Sequence, residues 1–254
     1  MANKFLTEPR LAGFGYSIYH LAWLTADWVY PPVCAGCGQP GSRWCSSCAS
    51  QTTPLSAPLC PVCGAPVSTG IPCKECEEHP PKFDRLRSWA AFTGPLREAL
   101  HSLKYSKNLG IGETFSEPLL QIIMTEGWEF DLVIPVPLGK EHHRQRGYNQ
   151  AQIIAHPVAL RLNKMMVTDA LARTKETSSQ VNLSPHQRYE NLKDAFSAIP
   201  AKLKGRKVLL VDDVATTGAT LNSCAETLRS AGVEKIYCLT VAKALRKDLR
   251  APES

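Results

Sequence analysis

Residues Val208–Leu221 read VLLVDDVATTGATL, and this stretch decides the fold. Val208-Leu209-Leu210-Val211 is a continuous apolar run of the kind a parallel strand needs when both its faces are buried. Asp212 and Asp213 follow at its carboxyl end. Ala215-Thr216-Thr217-Gly218-Ala219-Thr220 comes next, all small or hydroxylated, and leads into a helix expected over Gly218–Ala231 with Gly232 as its C-cap. Unpaired backbone N–H groups and the positive end of a helix dipole make such a junction receptive to phosphate. Gly218 and Ala219 let the backbone come close, Thr216, Thr217 and Thr220 add hydroxyl donors, and the two carboxylates can accept from two ribose hydroxyls. Ligands of open α/β sheets bind beyond the strand carboxyl ends, where this motif falls. The stretch therefore reads as a phosphate-and-ribose site. An apolar strand ending in Asp-Asp also resembles a Walker B strand, but the chain has no Gly-x-x-x-x-Gly-Lys-[Ser/Thr] loop and no Gly-x-Gly-x-x-Gly fingerprint. An ordinary strand–turn–helix with a threonine cap would explain the threonines but not the paired acids.

Outward from this motif, short β-like runs alternate with helical patterns, the signature of an α/β fold with a parallel sheet and flanking helices. Strands are expected at Leu86–Phe92, Leu132–Val136, Ala195–Ile199 and Ile236–Val241. Helices are expected at Pro95–Leu103 and Glu113–Thr125, and over Tyr148–Leu162, where Pro157 should kink or split the pattern. Near the amino terminus Tyr16–Tyr30 is apolar but too short to span a bilayer, and His20 and Asp27 interrupt it. Ile18, Leu21, Ala22 and Val29 share one helical face with Trp28 beside it, so the segment is expected to pack that face on its own protein rather than on a membrane.

The region Pro31–Pro80 is rich in Cys, Pro and Gly and poor in periodicity, so metal rather than an apolar core should hold it. Eight cysteines form four Cys-x-x-Cys knuckles: Cys34/Cys37, Cys45/Cys48, Cys60/Cys63 and Cys73/Cys76. Such knuckles suit tetrahedral thiolate ligation of zinc, and eight ligands imply two structural Zn²⁺ ions. Consecutive pairing gives two ribbons and interleaved pairing a cross-brace; the similar spacers, seven residues in the first half and nine in the second, favour the ribbons. No secretory signal precedes the array, so the expected compartment is reducing and cytoplasmic. Cys224 and Cys238, isolated among apolar residues, read as core. Arg43 and Trp44, beside one knuckle, are expected to pack rather than to stack on a base. The formal charge of +6 admits anionic partners without being a nucleic-acid-binding charge run. The expected organisation is an amphipathic segment at 1–30, a double ribbon at 31–80, an α/β domain at 81–245 and a tail at 246–254.

Further motifs carry a resemblance. The eight-cysteine array, Leu103-Lys104-Tyr105, Val133-Ile134-Pro135-Val136-Pro137-Leu138, Arg144-Gln145-Arg146-Gly147-Tyr148-Asn149-Gln150, Arg188 with Asn191, Leu192 and Phe196, and the Asp-Asp motif together resemble the ComF family, including its GntX-like members linked to DNA uptake and utilisation. The Asp-Asp motif itself looks like the signature of type I phosphoribosyltransferases for 5-phosphoribosyl-1-diphosphate (PRPP). The resemblance implies that Asp212 and Asp213 hold the ribose hydroxyls, that Ala215–Thr220 wraps the 5′-phosphate, and that Pro137, Leu138, Gly139 and Lys140 form the diphosphate loop. It implies a mobile loop at Arg173–Arg188 and a double zinc ribbon of the ComF type. Arg144, Arg146 and Lys104 are the candidates to stabilise a leaving diphosphate with Mg²⁺ assistance, since guanidinium pairs phosphate oxygens bidentately. The same arginines could instead touch a nucleic-acid backbone. His142 and His143 are expected to face solvent. Two functions remain open at the level of sequence: a phosphoribosyltransferase with an unknown acceptor, and a PRPP-site scaffold whose ribbons and basic loops engage single-stranded DNA or a DNA-uptake protein.

Overall fold

The computed structural model describes residues 13–175 and 195–245. Its frame is a five-stranded sheet in the order β1-β7-β6-β2-β3, parallel throughout. The strands are β1 (Arg85–Ala91), β2 (Leu132–Pro135), β3 (Met165–Met166), β6 (Lys207–Ala215) and β7 (Lys235–Lys243). A separate antiparallel pair joins β4 (Leu171–Arg173) to β5 (Phe196–Ala198). The stretch expected as a buried strand is β6, flanked by β2 and β7, with Val208, Leu209, Leu210 and Val211 fully inaccessible. Strand alternation sends Leu209 and Val211 to one core with Leu239 and Val241, and Val208 and Leu210 to the other with Ile236 and Cys238. The first core is closed by α4 (Gly94–Tyr105), α5 (Ile111–Thr125) and α7 (Gln150–Arg161). The second is closed by α9 (Ala219–Ser230), the short α8 (Pro200–Leu203) and the β4–β5 pair. Cys224 and Cys238 are both buried in that second core, as their sequence setting implied.

Strand β6 is longer than its apolar run. It continues through Asp212 and Asp213 to Ala215 because β7 supplies partners for the whole length, Asp212 opposite Thr240 and Ala215 opposite Lys243. The acids are thus on the strand rather than after it. Pro157 does not split the helix expected there: α7 runs through it. The proline removes the N–H that would bond the Ile153 carbonyl, and α5 crosses at that point. A Cβ placed on Gly112 would lie 2.6 Å from the Ile153 oxygen and 2.7 Å from its Cγ2. Only glycine permits this approach, so Gly112→Ala should cost about 1–3 kcal/mol of stability through overpacking, despite alanine's better helix propensity. A chemical denaturation curve equal to or better than wild type would contradict this packing account.

The leading helix α1 (Phe14–Val29) overturns one expectation. Its aliphatic face points away from the protein: Ile18, Leu21, Val29 and Trp28 are all exposed, Trp28 at 89%. The helix docks instead through Tyr16, Tyr19, Trp23 and Asp27. Arg43 explains the choice. Its guanidinium bonds Asp27 at 2.7 Å and Glu113 at 3.1 Å and stacks on Trp23, while Tyr16 and His20 reach the same buried Glu113. Turning the aliphatic face inward would take Asp27 and Trp23 from Arg43 and the Tyr16 and His20 contacts from the buried Glu113, leaving those polar groups under-satisfied. No helix among the described residues is long and apolar enough to cross a membrane.

Candidate phosphoribosyl site and zinc centres

The site is built where β6 and β2 end side by side. Ile134 pairs with Leu210 and Pro135 with Val211, and the Val136 N–H donates to the Val211 carbonyl, so the chain leaving β2 runs beside the two aspartates. Both carboxylates are buried, Asp212 at 9% and Asp213 at 4% exposure. Alternation turns them to opposite faces. Asp213 faces α4, where the Lys104 ammonium lies 2.5 Å from its Oδ2. Asp212 accepts the Asp213 N–H on Oδ1 at 2.9 Å. Burial, joined by the neighbouring Asp213 charge, raises the Asp212 carboxyl well above the usual carboxylate range. Burial acts on Asp213 in the same direction, but the Lys104 ammonium outweighs it and holds Asp213 below that range. Lys104 feels the mirror of this balance: desolvation opposes its charge, and Asp213 more than restores it.

Past Ala215, Thr216 and Thr217 are exposed and Gly218, Ala219 and Thr220 half-buried. Gly218 takes a left-handed conformation (φ +80°) as the N-cap of α9, and Thr217 Oγ1 accepts the Ala219 N–H at 3.3 Å. The first turn of α9 therefore opens at the carboxyl edge of the sheet beside the aspartates. On the β2 side, Pro137, Leu138 and Gly139 form the connection to α6 (Lys140–Arg146). A cavity of about 680 Å³ adjoins it, lined among others by Pro137, Lys140, His143, Arg144, Asn149 and Arg173.

The basic candidates divide. Lys104 lies beside the paired aspartates, on Asp213. Arg144 is exposed and pairs with Glu141 at 2.6 Å along its own helix. Arg146 bonds Gln150 Oε1 at 3.0 Å and stacks over the Tyr105 ring, 5.2 Å from its centroid. His142 and His143 are exposed, as their setting suggested. Of the proposed mobile loop, Arg173 ends β4; Arg188, Asn191, Leu192 and the polar stretch between them lie outside the described residues. Two residues received no role from the sequence: Asn149, quoted only within its motif, and Lys243. Asn149 caps α7 and donates from Nδ2 to the Val136 carbonyl at 2.9 Å, fixing the exit of β2; its signal was an Asn just ahead of a helical pattern. Lys243 is a buried lysine that ends β7, and the only hint was a charge closing an apolar strand.

The cysteines separate into two clusters, Cys34/Cys37/Cys45/Cys48 and Cys60/Cys63/Cys73/Cys76, with all four sulfurs of each within 4.8 Å of one another. This is consecutive pairing. Zinc–thiolate bonds of about 2.3 Å in a tetrahedron place sulfurs about 3.8 Å apart. The Cys37–Cys45 and Cys63–Cys73 separations are both 3.7 Å, so the residues fit the ion. Backbone N–H groups point at the sulfurs, Cys45 to Cys34 and Cys73 to Cys60 at 3.4 Å each, as thiolates require. The second knuckle of each cluster opens a one-turn helix, α2 (Ser46–Ser50) and α3 (Lys74–Glu78). Trp44 packs edge-on against Phe115, so Arg43 and Trp44 both serve packing.

Comparisons agree with both halves. Residues 25–77 match the model of the double zinc ribbon domain, and residues 119–252 that of the phosphoribosyl transferase domain. The chain is 34% identical over 221 residues to the DNA utilization protein YhgH of Escherichia coli, covering 82% of this chain and 96% of that one. It is 32% identical over 208 residues to competence protein F of Haemophilus influenzae, covering 79% and 90%. The orotate phosphoribosyltransferase structure from Aeropyrum pernix aligns at 22% identity and a TM-score of 0.34 over 62% of this chain and 68% of that one, too loosely to carry an argument. From the paired tetrathiolate clusters, the parallel sheet with its Asp-Asp strand end and the near full-length match to these relatives, the chain belongs to the ComF family.

Proposed function

We propose that the chain binds PRPP, or a closely related phosphoribosyl ligand, at the joined ends of β6 and β2, and acts in DNA uptake or DNA utilisation as its relatives' names indicate. The observation that carries the reading is the pair of buried carboxylates beside the left-handed Gly218 turn that opens α9. Asp212 and Asp213 accept from the ribose hydroxyls, Ala215–Thr220 surrounds the 5′-phosphate with N–H and hydroxyl donors, and Pro137–Lys140 borders the diphosphate. Mg²⁺ suits this chemistry as the diphosphate's counter-ion, shielding charge as it leaves. Among the described residues, groups of three or more metal-ligating side chains occur only as the two cysteine clusters, so the cation enters with the ligand and draws few protein ligands. In transfer, Arg146 and Lys104 supply positive charge to the departing diphosphate, and Arg144 joins them by leaving Glu141.

Calorimetry with PRPP and Mg²⁺ tests the site. Asp212→Ala removes one acceptor for a ribose hydroxyl and should weaken binding about 5- to 100-fold, from the roughly 1–3 kcal/mol cost of leaving a buried partner unsatisfied. Equal affinity in a variant of unchanged unfolding midpoint would defeat the assignment. A diphosphate-release assay across nucleobase acceptors then tests transfer.

A second reading keeps the site as a ligand-sensing scaffold that engages single-stranded DNA or a DNA-uptake partner. The exposure of Lys140, His143 and Arg144 around the open cavity favours it, as does the engagement of Lys104 by Asp213. Under it, binding of single-stranded DNA falls steeply with salt and Arg144→Ala lowers the slope by about one.

A further inference from the structure

We infer that the second zinc ribbon and the phosphate loop form one coupled unit, joined by Lys243 as a positioning residue. This rests on the phosphoribosyl reading above and extends it to the metal site.

Lys243 is the last residue of β7 and is 7% exposed. Its main chain belongs to the phosphate loop's foundation. It lies in register opposite Ala215, the first residue of that loop, and the next N–H, of Ala244, donates to the Ala215 carbonyl at 2.9 Å. Its own carbonyl accepts the Phe92 N–H at 2.8 Å. Its side chain belongs to the ribbon: Nζ donates to the carbonyl of Cys63, a zinc ligand, at 3.0 Å. The buried head group of Lys243 thereby ties the knuckle's main chain to the end of β7.

The rest of the knuckle is fastened to the same domain. Val62 accepts the Leu86 N–H at 2.7 Å, and the buried Arg87 donates to the carbonyls of Cys60 and Pro61, both at 3.3 Å. Gly64 lies so close that a Cβ there would stand 2.6 Å from the Leu86 oxygen. The first ribbon is held elsewhere, by Arg43 to α1 and α5 and by Gly36 against Pro95 at the start of α4. The two ribbons are therefore not equivalent with respect to the site.

A buried donor that loses its acceptor is strongly unfavourable. Loss of metal releases the knuckle that holds the Cys63 carbonyl in place and leaves the buried Lys243 head group without that acceptor. Relief requires the end of β7 to open toward water, and the Ala215 main chain moves with it. Linkage makes the effect reciprocal: whatever the metal does for ligand affinity, ligand does for metal retention.

The test is peptide-resolved pulse alkylation of the zinc-loaded full chain, with and without saturating PRPP and Mg²⁺, alongside calorimetry. PRPP should slow alkylation of Cys60, Cys63, Cys73 and Cys76 at least about five-fold, the lower end of ordinary allosteric couplings, and leave Cys34, Cys37, Cys45 and Cys48 unchanged. Lys243→Met, with two zinc ions and wild-type circular dichroism, should lose that protection and bind PRPP at least about five-fold more weakly, whereas Lys243→Arg should keep both. If PRPP binds yet both cysteine sets react at unchanged rates, or both slow equally, the coupling is wrong. A folded Lys243→Met that keeps the selective protection removes Lys243 from the role. If the methionine variant fails to fold, the wild-type comparison decides alone. Absence of any PRPP heat is the separate failure of the phosphoribosyl reading, and the coupling falls with it.

Discussion

Cys76→Ala should yield a protein with one zinc ion per chain instead of two, and a second ribbon that no longer folds. The size of the effect follows from what the ribbons lack. Between residues 31 and 80 the buried side chains are Cys34, Ala35, Cys48, Thr52, Cys60 and Cys76, without a single leucine, isoleucine, valine or phenylalanine. Only Ala35 and the half-buried Trp44 and Val62, packed against the α/β core, offer apolar contact, far too little to replace the metal as a source of cohesion. Structural zinc contributes roughly 10–16 kcal/mol in small thiolate domains at neutral pH, as much as the whole stability of an ordinary domain. The loss should spread beyond the ribbon, because Cys60, Pro61, Val62 and Cys63 hold Arg87, Leu86 and Lys243 on β1 and β7. Cys224→Ala is the contrast: its thiol, on α9, is buried in the second core, so it should keep both metal ions and lose only cavity energy. Metal analysis and thermal melts of the two variants decide the matter. Two zinc ions retained in Cys76→Ala, or an equal loss from Cys224→Ala, would contradict the ligand assignment.

What the sequence made legible was pattern at short range. The apolar run before Asp212 identified β6, and the repeated Cys-x-x-Cys knuckles identified the ribbons, because each feature is local and has few alternative uses. The spacers also pointed to consecutive pairing, and the clustered sulfurs have that pairing. Three things were not legible, each for a physical reason. The face on which α1 docks is set by Arg43 and Glu113, which lie 16 and 99 residues from Asp27 and Phe14 in the chain, so hydropathy alone chose the wrong side. α7 runs on through Pro157 where α5 brings Gly112 against the freed carbonyl, a close approach that is a tertiary fact. The full length of β6 depends on β7 pairing its acidic end. Within the site, the acids and the glycine turn could be read directly, but the pairing of Lys104 with Asp213 spans two elements and only emerges when α4 packs on the sheet.

That pairing carries the second large prediction. Lys104→Met keeps the length and apolar stem of the side chain and removes its charge, leaving the Asp213 carboxylate buried beside a second carboxyl group. Breaking a buried pair from one side costs about 3–5 kcal/mol, which at this chain length lowers the melting temperature by roughly 6–20 °C. The loss depends on pH in a definite direction. In the wild type, Lys104 holds Asp213 below its unfolded pKa, so the pair's stabilisation is present above the ordinary aspartate range and disappears as pH falls through the depressed value. In the variant, burial no longer opposed by Lys104 pushes Asp213 upward, so a penalty develops as pH rises and fades once the carboxyl is protonated. The two melting curves should therefore be furthest apart at neutral pH and converge toward acid. Both proteins carry the same ribbons, so acid loss of zinc cancels in the difference. Adding Asp213→Asn to Lys104→Met should restore most of the loss, because it removes the unpaired charge; the double variant would then be less impaired than Lys104→Met alone. A difference between wild type and Lys104→Met that is constant from pH 5 to pH 8, or a double variant that sums the single losses, would mean that Lys104 acts through packing and not through Asp213. The outcome also bears on catalysis. If the pair is as strong as its burial implies, Lys104 is held by Asp213 before ligand arrives, and under the proposed transfer reading a leaving diphosphate would draw its positive charge first from Arg146 and the arginines bordering the β2 cavity.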